Sequence, residues 1–186
     1  QRIAKHDIQT GLQWGYLHCA VKPGREHELV AWKDEMDALG YEGCTFLSKA
    51  ELEAKLGTRL YHGALREARA GHFHPLNYCL GLARAATSAG AVIYENSRVL
   101  ELDHGPQPWA RTEHGKVSAK FMVVAGNAYL GKTVKQLYGR VMPVTSFIAT
   151  TEPLGEDVAK SLIRDNEAVA DTNFILDYFR RTEDNC

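Results

Sequence analysis

Several things the sequence lacks narrow the classes it can belong to. Its four cysteines, Cys19, Cys44, Cys79 and Cys186, are scattered and form no C-x-x-C pair. That scatter fits reduced thiols in a cytoplasmic protein better than a disulfide framework. There is no excess of one charge: 22 Lys and Arg stand against 23 Asp and Glu, a formal net charge of -1. No basic surplus therefore argues for a nucleic-acid partner or an anionic membrane surface. No run of about 18 apolar residues is present to span a bilayer, and the opening QRIAKHDIQTG is too polar for the apolar core of a signal peptide. Internal repeats and low-complexity linkers are also missing. The 186 residues are 45% hydrophobic and 24% charged, enough for one or two units with a packed core. The chain opens at Gln1 and stops at TEDNC, which raises the expectation that it is a piece of a longer protein.

The pattern along the chain is mixed. Residues 1–21, with Ile3, Ile8, Leu12, Trp14 and Leu17, are compatible with a helix that yields to an extended segment near HCAV. Pro23-Gly24 breaks the chain, and Leu29, Val30, Trp32, Met36 and Leu39 then recur at helical spacing up to Gly40, which suits a C-terminal cap. Ser48 and Glu51 make a capping box for a helix over residues 49–56, and residues 58–70 read as extended and irregular. Pro75 suits the first position of a helix whose Leu76, Cys79, Leu80, Ala83 and Ala86 share a face, closed by Gly90. AVIY and RVLEL follow as strands, WARTE and KVSAK flank His114-Gly115 as a hairpin, and FMVVAG reads as a strand buried on both faces. KTVKQLYG reads as helical. VTSFIATTEP and EAVADTNFILDYFRRT read as strands on either side of a helix near Asp157–Arg164. The fold class is α+β with α/β features.

Two short stretches invite chemistry. GNAYLGKT, Gly126–Thr133, satisfies G-x-x-x-x-G-K-[ST] after an apolar run and so offers a phosphate-loop reading. Against it, Tyr129 and Leu130 are too bulky for a backbone that must wrap a phosphate, and only 54 residues follow Lys132. The other stretch, GHFHP, places His72 and His74 two residues apart in extended chain. Side chains at that spacing point to opposite faces and do not converge on one ion, so no metal site is expected. His74 beside a helix start can serve as a hydrogen-bond acceptor, with Phe73 packed beneath, or the segment can form the wall of a ligand site.

GHFHPLNYCLGLARAATSAGAVIYENSRVLEL, then KVSAKFMVVAGNAYLG, then VMPVTSFIATTEPLG and DTNFILDYFRRTEDN together resemble the FAD-dependent amine and amino-acid oxidases of the D-amino-acid-oxidase superfamily. AGNAYLG and TEPLG look nearest to the gamma-glutamylputrescine oxidoreductase type within it. The resemblance implies FAD as cofactor of the complete protein and a small-molecule amine or amino acid as substrate, oxidised by hydride transfer to flavin. It implies cofactor contacts at Val99, Ala125, Gly126 and Asn127, and a substrate-side position for His72, His74 and Tyr129. No acid or base is required of any side chain, so catalytic residues stay unnamed.

No G-x-G-x-x-G occurs in these 186 residues, so the resemblance implies a partial FAD-binding domain over residues 71–142 and a partial substrate domain over 1–70 and 143–186. The expectation is a chain that by itself neither holds FAD tightly nor turns over, and that self-associates through exposed edges and apolar faces. Two other readings stay open from residues alone: a nucleotide-binding protein using Gly126–Thr133, and a non-catalytic α+β binding module.

Overall fold

The structure is a computed structural model that describes residues 1–186. The chain divides into two compact units, one made of Gln1–Ala89 with Thr150–Cys186 and the other of Gly90–Ala149. In chain order the first contributes α1 (Arg2–Lys5), β1 (Gln13–Cys19), α2 (Glu26–Ala38), β2 (Cys44–Ser48), α3 (Lys49–Glu53), β3 (Gly63–His72) and α4 (Pro75–Ser88). The second then contributes β4 (Glu101–Asp103), β5 (Trp109–Arg111), β6 (Lys116–Ser118), a 3-10 segment (Asn127–Thr133) and α5 (Lys135–Tyr138). The first resumes with α6 (Glu156–Leu162), β7 (Ala168–Asp171) and β8 (Tyr178–Phe179). The unit boundaries fall at 89/90 and 149/150, whereas the expected divisions are at 70/71 and 142/143.

The larger unit is built on a five-stranded mixed sheet of order β2-β3-β1-β7-β8. β1 runs antiparallel to β3 and parallel to β7, with Leu17 opposite Val169 and Cys19 opposite both Ala64 and Asp171. Alternation along β1 buries Gly15, Leu17 and Cys19 on one face. There Leu17 and Cys19 meet Leu47, Leu52, Leu56, Tyr61 and Ile163 under α3 and α6. Leu65, Ala20 and Cys44 bury the other face against Leu29 of α2, with Met36 and Phe46 packed at its margin. Helices thus cover both faces. Each fully buried leucine of this core contributes about 1.5–3 kcal/mol.

Local signals set several of these elements. The Ser48 hydroxyl accepts from Glu51 N at 3.4 Å while Glu51 Oε2 accepts from Ser48 N at 2.8 Å, the expected capping box. α4 starts on Pro75 and ends before Gly90, whose φ of +92° is the left-handed turn that only a residue without Cβ adopts freely. α2 keeps its expected span, but only Leu29 is buried on it, and Leu39 just beyond its end is 77% exposed.

Elsewhere the structure corrects the sequence reading. Residues 1–21 hold only a four-residue helix, and β1 begins five residues before the expected extended segment. Gly15, at φ +110° beside a register shift between Trp14 and Tyr16, bends the strand there. Residues 58–70, expected to be extended and irregular, supply most of β3 (Gly63–His72), which is extended as expected but regularly paired on both edges. GALREARAGH has weak strand propensity, and its neighbours override it.

In the smaller unit β4, β5 and β6 make an antiparallel three-stranded sheet, with the expected hairpin joining β5 to β6. FMVVAG forms no strand, and Phe121 and Val123 are 87% and 89% exposed. A strand buried on both faces takes its ladder partners and its cover from neighbours, and no strand of this chain pairs with it. VTSFIATTEP and AVIY likewise carry no regular structure. The last expected strand divides into β7 and β8, around a turn in which Asp171 Oδ1 accepts from Asn173 N and Asp177 N.

Candidate functional site

Two clefts, one in each unit, hold most of the residues singled out from the sequence. In the larger unit β3 ends at His72 and α4 begins at Pro75, so the short crossing places His72 and His74 on a cleft of about 420 Å³. The loop before β1 brings Thr10 and Gly11 to it, the turn before β7 brings Asn166, and the chain after β8 brings Arg180 to Asp184.

The two histidines have different tasks. The His74 ring accepts at Nδ1 from Asn77 N at 3.2 Å and so caps α4, as its position before the proline led us to expect. Its own amide donates to the Thr10 carbonyl at 2.8 Å, and Phe73 packs edge-on to Tyr78 at 5.0 Å. His72 is buried, with Nε2 at 2.8 Å from the Asn166 carbonyl and Nδ1 at 3.1 Å from Arg180 Nη1. A carbonyl can only accept, so Nε2 carries the proton and Nδ1 accepts from the guanidinium. Burial pushes the His72 pKa down, opposed by the Asn166 hydrogen bond and reinforced by the Arg180 charge. The ring is therefore neutral at pH 7.

Arg181 and Thr10 stand differently. Thr10 is 2% exposed, and its hydroxyl has no partner within the chain. Arg181 Nε and Nη1 and Asn166 Oδ1 are also buried and unpartnered. Below them Glu167, 2% exposed, binds Arg66 at 2.5 Å and Lys55 at 3.0 Å, and Lys55 also reaches Asp165 at 2.5 Å. This network anchors the start of β7 and with it the Asn166 carbonyl that holds His72.

The smaller unit's cleft measures about 400 Å³ and is lined by Val99, Ala125, Gly126 and Tyr129 among others. Asn127 starts the 3-10 segment at φ +47° and is not part of that lining. Tyr129 is 98% exposed. The structure thus brings three of the four expected cofactor residues together and sets Tyr129 with them, while His72 and His74 share the other cleft. The space a Cβ would take at Gly126 is held by the Leu130 side chain, 2.6 Å away at Cδ2.

The phosphate-loop reading of Gly126–Thr133 is overturned. The segment forms two 3-10 turns broken at Gly131 (φ 51°, ψ -134°), no strand leads into it, and the α-helix that follows spans only Lys135–Tyr138. It offers neither a strand-to-helix junction nor a helix N-terminus long enough to hold a phosphate. Lys132 lies 5.7 Å from the Tyr138 ring centroid instead.

Sequence reasoning missed Thr10, Asn166 and Arg181. Only the Arg180-Arg181 pair closing an aromatic segment left a trace in the sequence, because their meeting is made by the crossing of β1, β7 and β8.

Comparison with known proteins gives a consistent picture. The profile of the family described as FAD dependent oxidoreductase (DAO) matches residues 1–186. The chain is 37% identical over 186 residues to gamma-glutamylputrescine oxidoreductase of Escherichia coli K12, covering 100% of this chain and 44% of that protein. It is 35% identical over 191 residues to the probable oxidoreductase OrdL of Haemophilus influenzae, again covering 44% of the relative. The chain thus spans less than half the length of these relatives. Among solved structures, L-proline dehydrogenase from P. horikoshii superposes with a TM-score of 0.72 at 14% identity, over 98% of this chain and 49% of that one. Glycine oxidase from Geobacillus kaustophilus gives a TM-score of 0.60 at 24% identity, over 68% of this chain and 35% of that one. These two share the fold.

Proposed function

We propose that this chain, which belongs to the family of FAD-dependent oxidoreductases, is part of an enzyme that oxidises an amine or amino acid by hydride transfer to flavin. The observation that carries the reading is the 37% identity, along the whole chain, to gamma-glutamylputrescine oxidoreductase, whose name specifies an amine substrate. In this reading the larger unit is the substrate-domain part and the smaller unit the FAD-domain part, refining the divisions at 70/71 and 142/143.

The residues present do not make a complete FAD site. A pyrophosphate needs a glycine-rich turn at a helix N-terminus, and no G-x-G-x-x-G occurs in the chain. Only α2 and α4 are longer than two turns. The first turn of α2 carries Glu26 and Glu28, and α4 opens on a proline behind the His74 ring. The open backbone at Gly126 is filled by Leu130 rather than left clear. The cleft at Val99, Ala125 and Gly126 accommodates a portion of such a cofactor and no more. The 186 residues alone therefore bind FAD weakly and are inactive.

The test is a visible absorption spectrum of the purified 186-residue chain beside that of the product of its complete reading frame. Flavin bands in the longer protein, with amine-dependent bleaching, and none in the shorter one are expected. A flavin-loaded 186-residue chain overturns the account of the cofactor site, and a longer protein without flavin overturns the function.

A further inference from the structure

We infer that His72 is a pH-sensitive latch: as a neutral ring it holds the chain after β8 against the end of β3 through Arg180, and protonation of the ring lets that segment go. The latch goes beyond the proposed function and does not depend on which substrate is oxidised.

The segment has few other polar ties. β8 is two residues long, pairs with β7 at Val169 and Ala170, and leaves Tyr178 and Phe179 exposed. Beyond it the chain folds back on itself. The Thr182 amide donates to the Cys186 carbonyl at 3.2 Å, the Cys186 amide to the Thr182 hydroxyl at 2.9 Å, and that hydroxyl to Asp184 at 2.5 Å. These bonds shape a turn without anchoring it. Two hydrogen bonds tie the turn to the rest of the unit: Arg180 Nη1 to His72 Nδ1 at 3.1 Å, and the Leu154 amide to the Asn185 carbonyl at 3.1 Å.

The first of these tolerates only a neutral ring. Nε2–H is committed to the Asn166 carbonyl, so Nδ1 presents its lone pair to the guanidinium. An imidazolium carries a proton on both nitrogens, which sets donor against donor and cation against cation, and the bond is lost. The other charged groups around the ring do not compensate. Arg181 adds positive charge to the same cleft, Asp184 is taken by the Thr182 hydroxyl, and the Glu183 carboxyl lies over Gly11. His74 caps α4 through Nδ1. Glu167, next to Asn166, is bound by Arg66 and Lys55, and Lys55 also holds Asp165. Gln13, opposite His72 on β1, and Thr10 bring no charge.

Burial and Arg180 keep the ring neutral while the latch is shut, whereas a released ring regains water and the ordinary value near 6.5. The latch is therefore shut above that value and opens as pH falls below it. Arg180, Arg181 and Cys186 line both the cleft at His72 and a second cleft of about 370 Å³ beside Leu56, Leu60 and Phe179. Release removes a wall that the two clefts share, so acid changes access to both at once.

Hydrogen exchange is measured at pH 7.5 and 5.0 on the protein expressed from its complete reading frame, as protection relative to unstructured peptide at the same pH. In the parent, protection of the Leu154 amide and of residues 180–186 falls about 10- to 100-fold at pH 5.0, as expected for loss of a hydrogen bond to a charged group, while β1 and β3 keep theirs. His72→Phe leaves the segment weakly protected at both pH values. His72→Asn, which sets an acceptor without a titrating proton near the Nδ1 position, restores protection at both. The coupling is reciprocal, so the His72 pKa read by NMR rises in Arg180→Met, which removes the charge and keeps the ring.

Protection of residues 180–186 that does not change with pH in the parent overturns the inference, as does the parent's fall persisting in His72→Phe. Loss of protection in β1 and β3 alongside the segment also overturns it, because acid would then unfold the unit rather than release its edge. An unchanged His72 pKa in Arg180→Met does the same, and that measurement stands even where the His72 variants fail to fold.

Discussion

Replacing Glu167 with glutamine tests whether the buried charge network organises the end of the sheet that carries His72. The carboxylate is 3% exposed and accepts from Arg66 and Lys55 at 2.5 and 3.0 Å. Glutamine keeps the shape and removes the charge. Breaking a buried ion pair from one side costs about 3–5 kcal/mol when the remaining charge stays buried. Here Lys55 and Arg66 keep 23% and 34% of their side-chain surface in water, and Lys55 retains Asp165 at 2.5 Å. The stranded cations can hydrate, so the loss is smaller, about 2 kcal/mol, or about 4–8 °C in melting temperature for a domain of this size. Urea titration and thermal unfolding by circular dichroism measure it. The control is Lys55→Met, which removes a partner with 23% of its side-chain surface in water and leaves Glu167 paired with Arg66, so it costs less, about 1 kcal/mol. Glu167 anchors the strand that begins with Ala168 and thus the Asn166 carbonyl, so the His72 ring resonances shift as well. A Glu167→Gln variant within about 0.5 kcal/mol of the parent refutes the argument, because the network would then contribute no more than an ordinary surface pair.

Further tests follow from burial and charge. Gly81→Ala lowers stability, although alanine normally gains up to about 1 kcal/mol over glycine inside a helix, because the added Cβ would sit 2.2 Å from Ile8 Cγ2; a melt above the parent's contradicts the contact. His72 has a pKa lowered by burial and, to a smaller extent, by Arg180, so its neutral form is the one the fold favours. That contribution is complete above the unfolded value near 6.5 and is lost as pH falls below it. Stability should thus decline on acidification through that range, and less steeply in His72→Gln, whereas equal slopes would exclude His72 as a source. Phe174, Phe147 and Phe121 are 103%, 92% and 87% exposed, so the 186-residue chain self-associates, seen as a mass that grows with concentration in light scattering; a constant monomer mass refutes this.

The sequence by itself determined what is written in short-range chemistry. The Ser48–Glu51 box, the proline opening of the helix at Pro75, its closure at Gly90 and the hairpin around His114-Gly115 each depend on residues a few positions apart, and each is present. The family was legible in the same way, because AGNAYLG, TEPLG and their neighbours keep a linear order that survives without knowledge of the fold. The role of His74 also followed from its place before a proline.

Pairing across distance was decided only by tertiary structure. GALREARAGH became a central strand because β1 and β2 flank it, whereas FMVVAG, more apolar and more strand-like, stayed irregular for want of a pairing strand. Hydrogen-bond ladders are a property of two segments, and propensity describes one. The same holds for the candidate site. Thr10, Asn166 and Arg181 lie far apart in the chain and acquire meaning only where the sheet brings their unsatisfied polar atoms to one cleft. Burial creates that demand for a partner, since in water each group is already satisfied, and burial is fixed by the fold as a whole.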